Sequence, residues 1–291
     1  MKIGYLILCA LLSINVFSQN EICDFIDKLE KYQNQVELKI DSDNVYIDST
    51  SFNLDYYFTL FDQVTKNEHY NFNYEYYYGL LDGHPRIYAI HDSVNIENLI
   101  NNLMHKILRY YDSIAFRYND TISEYKFIPE EKDIHKRLML RHNINFRSTL
   151  RGMVIRDSLI RSHLYITPKQ SKIGYFQYLV YAIKGENFGL YWHSNYGKFN
   201  IVCSKDRLID LINSGKSSGE YLFNEKDLSE LLNLNLSPTV DFVKNDCLIS
   251  LYSISFRGIY RSKYKVNTEY PYRIHLIENS LLIENNSNNR F

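Results

Sequence analysis

Apolar residues recur at helical spacing in several segments of the chain. The longest such pattern runs from Ile96 to Tyr111, where apolar positions follow an i, i+3, i+4 order and predict an amphipathic helix. Asn20 is a suitable N-cap for a first helix, whose apolar positions are Ile22, Phe25, Ile26, Leu29 and Tyr32. Weaker helical patterns follow Asn53 and Asn224.

The segment from Tyr175 to Asn213 has the clearest succession of elements. Aromatic and β-branched residues predict strands at Tyr175–Ile183, Phe188–His193 and Phe199–Cys203, with turn residues between them. Ser204 then has the side chain of an N-cap, and the apolar stripe after it predicts a helix. We therefore expect a three-strand antiparallel meander followed by a helix.

Two further regions read as strands. Tyr74–Leu81 and Arg86–His91 flank Asp82-Gly83, a dipeptide typical of a hairpin turn. Strand-like runs also cover residues 247–260 and 264–283, and they predict a turn near residues 261–263. The predicted fold class is α+β, with mainly antiparallel sheets, built from β-hairpins and the meander, and amphipathic helices packed against them.

The N-terminus has the pattern of a signal peptide at residues 1–18. Lys2 precedes a short apolar run, and Val16-Phe17-Ser18 predicts cleavage after Ser18. Pro168 suggests a boundary between an N-terminal α+β region, 19–167, and a C-terminal α+β region, 168–284, although one continuous domain is the alternative. The polar residues 285–291 are expected to form a disordered tail.

The composition narrows the class of protein. A net charge of −1 argues against a nucleic-acid partner, and no later segment approaches the roughly 20 apolar residues of a transmembrane helix. We therefore expect an exported, soluble bacterial protein of the periplasm or the extracellular space. The 27 tyrosines make the chain tyrosine-rich, a bias that an AT-rich coding sequence would produce without a functional demand.

Three cysteines remain after removal of the predicted signal peptide, so the chain has no even disulfide framework. Cys203 and Cys247 both lie in strand-like runs of the same half, and we predict a disulfide between them. The alternative is three buried thiols, because free cysteines often pack as small apolar residues.

Two candidate ligand sites stand out, each with a structural alternative. Tyr191-Trp192-His193 predicts an aromatic platform beside a turn that could stack on a ligand; the same residues could instead pack in the core. Residues 128–172 have a local net charge of +6, and an anion could bind the outward arginines that the helical pattern predicts there: Arg147, Arg151, Arg156 and Arg161. Intramolecular acids are the alternative partners of these arginines.

Other motifs fail on their context. Gly215-Lys216-Ser217-Ser218-Gly219 matches the serine hydrolase pattern but follows a predicted helix instead of a strand, and we expect a flexible loop there. Glu131, His135 and His142 share a helical spacing, yet neighbouring cations oppose a metal ion. We predict no metal and no cofactor.

We therefore expect a ligand-binding or protein-interaction module of the cell envelope, with an unknown envelope or extracellular partner. The alternative is a periplasmic or secreted hydrolase whose site is assembled from residues distant in sequence, His193 among them. A binding module should expose an aromatic or apolar patch, whereas an enzyme should bring histidines or carboxylates together in a pocket.

Overall fold

The computed structural model describes residues 20–36, 38–39, 52–78, 82–95, 98, 102, 105, 161–188, 199–218 and 220–286. These residues form two compact units. One contains the described parts of segments 1–67, 76–86 and 163–291, and the other contains those of segments 68–75 and 87–162.

The helices are α1 (residues 20–35), α2 (Leu54–Leu60), α3 (Lys172–Val180), α4 (Lys205–Ser218) and α5 (Glu225–Leu232). A 3-10 helix covers Ser162–Tyr165, and a π-helix, Tyr181–Gly185, continues α3. Polar side chains cap several of them, since the side chains of Asn53, Ser171 and Asn224 accept backbone N–H bonds at 2.9, 3.0 and 2.9 Å. The helices predicted after Asn20, Asn53, Ser204 and Asn224 are confirmed.

The strands are β1 (Leu38–Lys39), β2 (Val64–Lys66), β3 (Tyr70–Tyr78), β4 (Asp82–His91), β5 (Ile166–Pro168), β6 (Phe199–Val202), β7 (Thr239–Val243), β8 (Asp246–Ser255), β9 (Gly258–Asn267) and β10 (Ile274–Glu284). They form a three-stranded sheet of order β1-β4-β3, a β2-β5 pair, and a five-stranded sheet of order β10-β9-β8-β6 in which β7 also pairs with β8. The pairings whose register is resolved are all antiparallel. The α+β class with antiparallel sheets is confirmed.

The first strand of the predicted meander is wrong, because its residues form α3 and the π-helix. Residues 174–180 are all buried, so the segment has no polar face and its apolar run does not distinguish a buried helix from a buried strand. Phe188 lies in a turn with φ 55°, and the rest of the predicted second strand lies outside the described residues. The third strand is confirmed as β6.

Two turns lie away from their predicted positions. Asp82 and Gly83 begin β4 and pair with Lys39 and Leu38, so the hairpin turn does not lie at this dipeptide. The β8–β9 turn is at residues 256–257, and β9 runs through the predicted turn at 261–263. Gly258 follows that turn with φ 146°, a conformation that residues with a side chain rarely adopt.

The unit containing segments 1–67, 76–86 and 163–291 has an aromatic core between α1, α2 and α3. Phe61 makes edge-to-face contacts with Phe25 at 5.3 Å and Tyr181 at 5.1 Å, and Tyr57 stacks on Phe188 at 5.2 Å. Several of the tyrosines are therefore used for packing, in line with the tyrosine-rich composition. The N-terminal helix shares this core with residues beyond 168, and the boundary near Pro168, with one continuous domain as its alternative, stays a prediction.

In the same unit, α4 and α5 cover one end of the five-stranded sheet. This cluster consists of Val202, Leu208, Ile212, Tyr221, Phe223, Leu231, Leu236, Ile254, Ile259 and Ile283. Residues 214–218 belong to α4, so the predicted loop there is wrong. A Cβ at Gly215 would lie 2.0 Å from the Tyr221 ring, which explains why glycine occupies this helical position.

The second unit contains residues 70–75 of β3 and residues 87–91 of β4. Ile87, Tyr88 and Ala89 are buried, and the Ser162 hydroxyl donates to the Ile87 carbonyl at 3.3 Å. Residues 98, 102 and 105 are helical and exposed, in agreement with the polar face of the helix predicted from Ile96 to Tyr111.

Candidate functional site

Most of the predicted site residues lie outside the described part of the chain. These are Tyr191, Trp192, His193, Arg147, Arg151 and Arg156, together with the Glu131, His135 and His142 set. Arg161 is described; it is exposed and forms an isolated antiparallel bridge with Tyr88. The aromatic and the arginine sites therefore stay predictions.

The disulfide joins Cys23 to Cys203, so the predicted Cys203–Cys247 pair is wrong. Cys247 is a buried free thiol, and its burial raises the pKa of that thiol to about 12. Cys23 lies in α1, 180 residues from its partner. The bond therefore ties the first helix to the end of β6.

Strand register explains why Cys203 does not reach Cys247. Val202, the last residue of β6, pairs with Tyr252 of β8, so Cys203 continues toward residue 251. Residue 251 lies four positions along β8 from Cys247, a distance of about 13 Å at a strand rise of about 3.3 Å per residue. A disulfide needs Cα atoms within about 7 Å, whereas those of Cys23 and Cys203 are 5.4 Å apart.

Glu30 lies in the same helix as Cys23, at the centre of a buried ion network. Its carboxylate lies 3.2 Å from Lys184 Nζ, forms a short ion pair with Arg207 and accepts the Ile201 N–H at 3.3 Å. The side chains of Glu30 and Lys184 are only 6% and 5% exposed. Lys184 also donates to the Phe199 carbonyl at 2.5 Å. The charges are thus both paired and hydrogen-bonded, as burial requires.

The π-helix Tyr181–Gly185 places Lys184 toward this network and exposes backbone carbonyls to α1 and α2. The Tyr57 hydroxyl donates to the Gly185 carbonyl at 2.9 Å, and Gln33 donates to the Tyr57 oxygen at 3.0 Å. Gln33 also donates to the Lys184 carbonyl at 3.4 Å. Side chains from α1 and α2 therefore satisfy two carbonyls at the C-terminal end of the π-helix, where helical partners are missing.

A histidine–carboxylate pair lies at the end of this π-helix. His163 Nδ1 makes a short contact with the Glu186 carboxylate, and their side chains are 12% and 3% exposed. Because a carboxylate accepts hydrogen bonds, Glu186 favours the tautomer in which Nδ1 carries the proton and Nε2 is the acceptor. This arrangement orients a histidine as a general base requires.

Among the strands that the structure describes, β10 has the largest number of exposed, large apolar side chains. Leu276, Ile277, Leu281 and Leu282 are 55, 58, 47 and 37% exposed, and we call these four residues the β10 patch. β10 forms one edge of the five-stranded sheet in the described segments. Its pairing with β9 is irregular at Ile277 and Leu282, the two residues that register shifts leave without a partner in β9.

The same strand has a charged side. Glu278 contacts Arg261 at 2.7 Å and Lys263 at 3.1 Å, and the Ser280 hydroxyl donates to it at 2.8 Å. These hydrogen bonds, that of Arg261 foremost, lower the pKa of Glu278 to about 2. Glu278 is therefore ionised at neutral pH and balanced by neighbouring cations.

Sequence reasoning did not find the Glu30 network, the His163–Glu186 pair or the β10 patch. The first two join residues 177 and 23 positions apart, and no local spacing links them. The sequence does contain a signal for the β10 patch. Leu276-Ile277 and Leu281-Leu282 are adjacent apolar pairs, and in a regularly alternating strand only one residue of each pair would point to the buried face.

In the described segments, no group of three or more His, Cys, Asp or Glu side chains is arranged to hold a metal ion. None of the helices in those segments has both the length and the apolar content that a membrane crossing requires. No protein-family model, curated protein or solved structure matches this chain. Functional inference therefore rests on its own geometry.

Replacing Glu30 by glutamine should destabilise the protein by about 3–5 kcal/mol, because the buried Lys184 ammonium loses its charged partner. Chemical denaturation of the protein measures this change. The matched control is Asp24→Asn in the same helix, which breaks an exposed Asp24–Lys28 pair and should leave the free energy of unfolding almost unchanged. Equal losses in the two variants would contradict a structural role for the network.

Proposed function

We propose that this protein is an exported interaction module that binds another polypeptide along strand β10. The observation that carries the proposal is the β10 patch, four exposed large apolar side chains on an eleven-residue edge strand. Natural sheets usually protect an edge of this length with charges, β-bulges or a covering segment, because unpaired backbone groups recruit other strands. β10 has two bulges and the central carboxylate of Glu278, yet four of its eleven residues are large, apolar and exposed. An apolar edge supports a binding role.

An extended polypeptide is the ligand class that an edge strand suits best. Added strands bind through main-chain hydrogen bonds, and side chains on the flanking face supply specificity. On one face of this edge, Leu276 and Leu281 lie beside Tyr264 and Tyr260 of β9. Both rings are half-buried, so they offer a partner side chain an apolar surface next to the strand.

Export is the second part of the proposal. A disulfide between Cys23 and Cys203 is compatible with an oxidising compartment such as the periplasm or the extracellular space. The predicted signal peptide at residues 1–18 supports the same compartment. The predicted aromatic site at Trp192 and the arginines near Arg151 are additional candidate surfaces for an envelope partner.

Replacing Leu276 and Leu281 by lysine should weaken the binding of an extended peptide at least about tenfold, since two apolar contacts are lost at the edge. The probe is an immobilised eleven-residue peptide of alternating valine and threonine. Its affinity is measured by interferometry at nanomolar concentrations of the mature chain. A peptide with proline at every second position, which lacks the donors for pairing, should not bind.

The matched control for this experiment is the pair Leu222→Lys and Leu234→Lys. These leucines are 49 and 47% exposed and lie outside the strands. The control variant should bind the peptide as the unmodified chain does. Equal binding by the β10 variant, or tighter binding of the proline peptide, would contradict the proposed function.

The His163–Glu186 pair favours a second candidate function, that of a periplasmic or secreted hydrolase. Glu186 orients His163 in the way that an acid orients the base of a hydrolytic triad. The two residues are distant in sequence, as expected for a site of this kind. A hydrolase would need a reacting group beside His163. The interaction module has no such requirement.

If the protein is a hydrolase of this type, His163→Asn should lower the hydrolysis of p-nitrophenyl acetate by about 10²–10⁴-fold. The matched control is His69→Asn, since His69 lies 4.0 Å from Glu68 in an exposed pair. Turnover by the unmodified chain that is unaffected by His163→Asn, or no turnover at all, would exclude this candidate.

A further inference from the structure

We infer that the polypeptide bound by β10 is a second copy of this chain, paired antiparallel along the same strand. This inference rests on the proposed function and names its partner. The interface would be isologous, with the same patch contributed by both copies across a two-fold axis. It would join the two five-stranded sheets edge to edge.

Symmetry limits the registers that such a pair can adopt. Hydrogen-bonded and non-hydrogen-bonded pairs alternate along an antiparallel ladder, so neighbouring pairs are never equivalent. The two-fold axis must therefore lie midway between one residue and the copy of that residue directly opposite it in the second strand. Asn279 is the midpoint of β10, and the register centred on it pairs all eleven residues.

In that register the β10 patch is self-complementary. Leu276 faces Leu282 of the second copy, and Ile277 faces Leu281, so each exposed apolar residue meets another. The axis repeats both contacts, and the four rungs bring eight apolar side chains together. Each irregular position of β10, Ile277 and Leu282, lies opposite a regularly paired leucine of the other strand.

The neighbouring registers lack this match. Centred on Glu278, the ladder would place two ionised carboxylates directly opposite each other, which destabilises a sheet. Centred on Ser280, it would place Glu284 opposite Leu276 and Glu278 opposite Leu282. Among these three central positions, only Asn279 combines apolar pairs with separated acids.

The charged side chains of the edge are compatible with the same register. Glu278 faces Ser280 of the second copy, and Arg261 of that copy is the β9 partner of this serine. Across the joined edge, the row therefore reads Lys263, Glu278, Ser280, Arg261, so no two like charges lie side by side and each carboxylate keeps the Arg261 and Lys263 of its own copy. Glu278 and Ser280 lie on the same face of the sheet, because their β9 partners, Lys263 and Arg261, are two residues apart.

Sedimentation velocity of the mature chain tests the dimer. The unmodified chain and the Leu222→Lys, Leu234→Lys control should sediment as dimers at micromolar concentration. The Leu276→Lys, Leu281→Lys variant should remain monomeric, with a dissociation constant raised at least about tenfold. Circular dichroism of each variant separates loss of pairing from loss of folding.

Cysteine cross-linking tests the register without removing any apolar residue. Asn279→Cys should form a disulfide-linked dimer under mild oxidation, because residues directly opposite have Cα atoms about 4.5–5.5 Å apart. Ser280→Cys is the control; it faces Glu278, and its own copy lies about 8 Å away, beyond disulfide reach. Cross-linking of Ser280→Cys in place of Asn279→Cys would overturn the register.

The outcomes distinguish this inference from the proposed function. A monomeric chain that does not cross-link at residue 279 yet binds the valine–threonine peptide through β10 would overturn the homodimer and leave the interaction module intact. A monomer that binds no peptide would overturn both. A dimer that persists in the Leu276→Lys, Leu281→Lys variant would show that the copies associate elsewhere.

Discussion

The carboxylate of Glu30, buried between Lys184 and Arg207, is the interaction on which the arrangement of the larger unit depends. It brings residues of α1, the π-helix and α4 to one point, and its bond to the Ile201 N–H includes β6. A buried carboxylate is costly unless cations and donors surround it. The fold therefore has to hold all four elements together, and the Cys23–Cys203 disulfide links two of the same segments.

Helices cover the five-stranded sheet unevenly. Helices α4 and α5 cover one end of the five-stranded sheet, and Tyr175 of α3 packs on Phe242 of β7 at its other edge. On β10, the cluster under α4 and α5 reaches Ile283, whereas Leu276, Ile277, Leu281 and Leu282 stay exposed. A rigid core with one apolar edge is the combination that strand addition requires, because the partner then pairs with a strand that is already ordered.

Elements with one polar face could be predicted from the sequence, and elements buried on every side could not. α1 and α5 have clear apolar stripes, and Asn224 caps α5, so the positions of both helices can be predicted. α3 shows no polar face, so its period was indistinguishable from that of a strand. The disulfide partner depended on the register between β6 and β8, which local pattern does not reveal.

The candidate sites follow the same division. Glu30 with Arg207, and His163 with Glu186, meet only in the folded chain, so no motif spacing indicated them. The adjacent apolar pairs of β10 were visible, but their exposure depends on β10 lying at a sheet edge. Strand order, unlike strand existence, is decided by tertiary packing.

Disulfide mapping of the unreduced protein tests the central claim, that the first helix is joined to the β6–α4 segment, most directly. Proteolysis under conditions that prevent exchange, followed by mass spectrometry, should yield one linked pair of peptides containing Cys23 and Cys203. Cys247 should react with a thiol reagent only after unfolding, since it is buried. A peptide pair linking Cys203 to Cys247 would contradict the account.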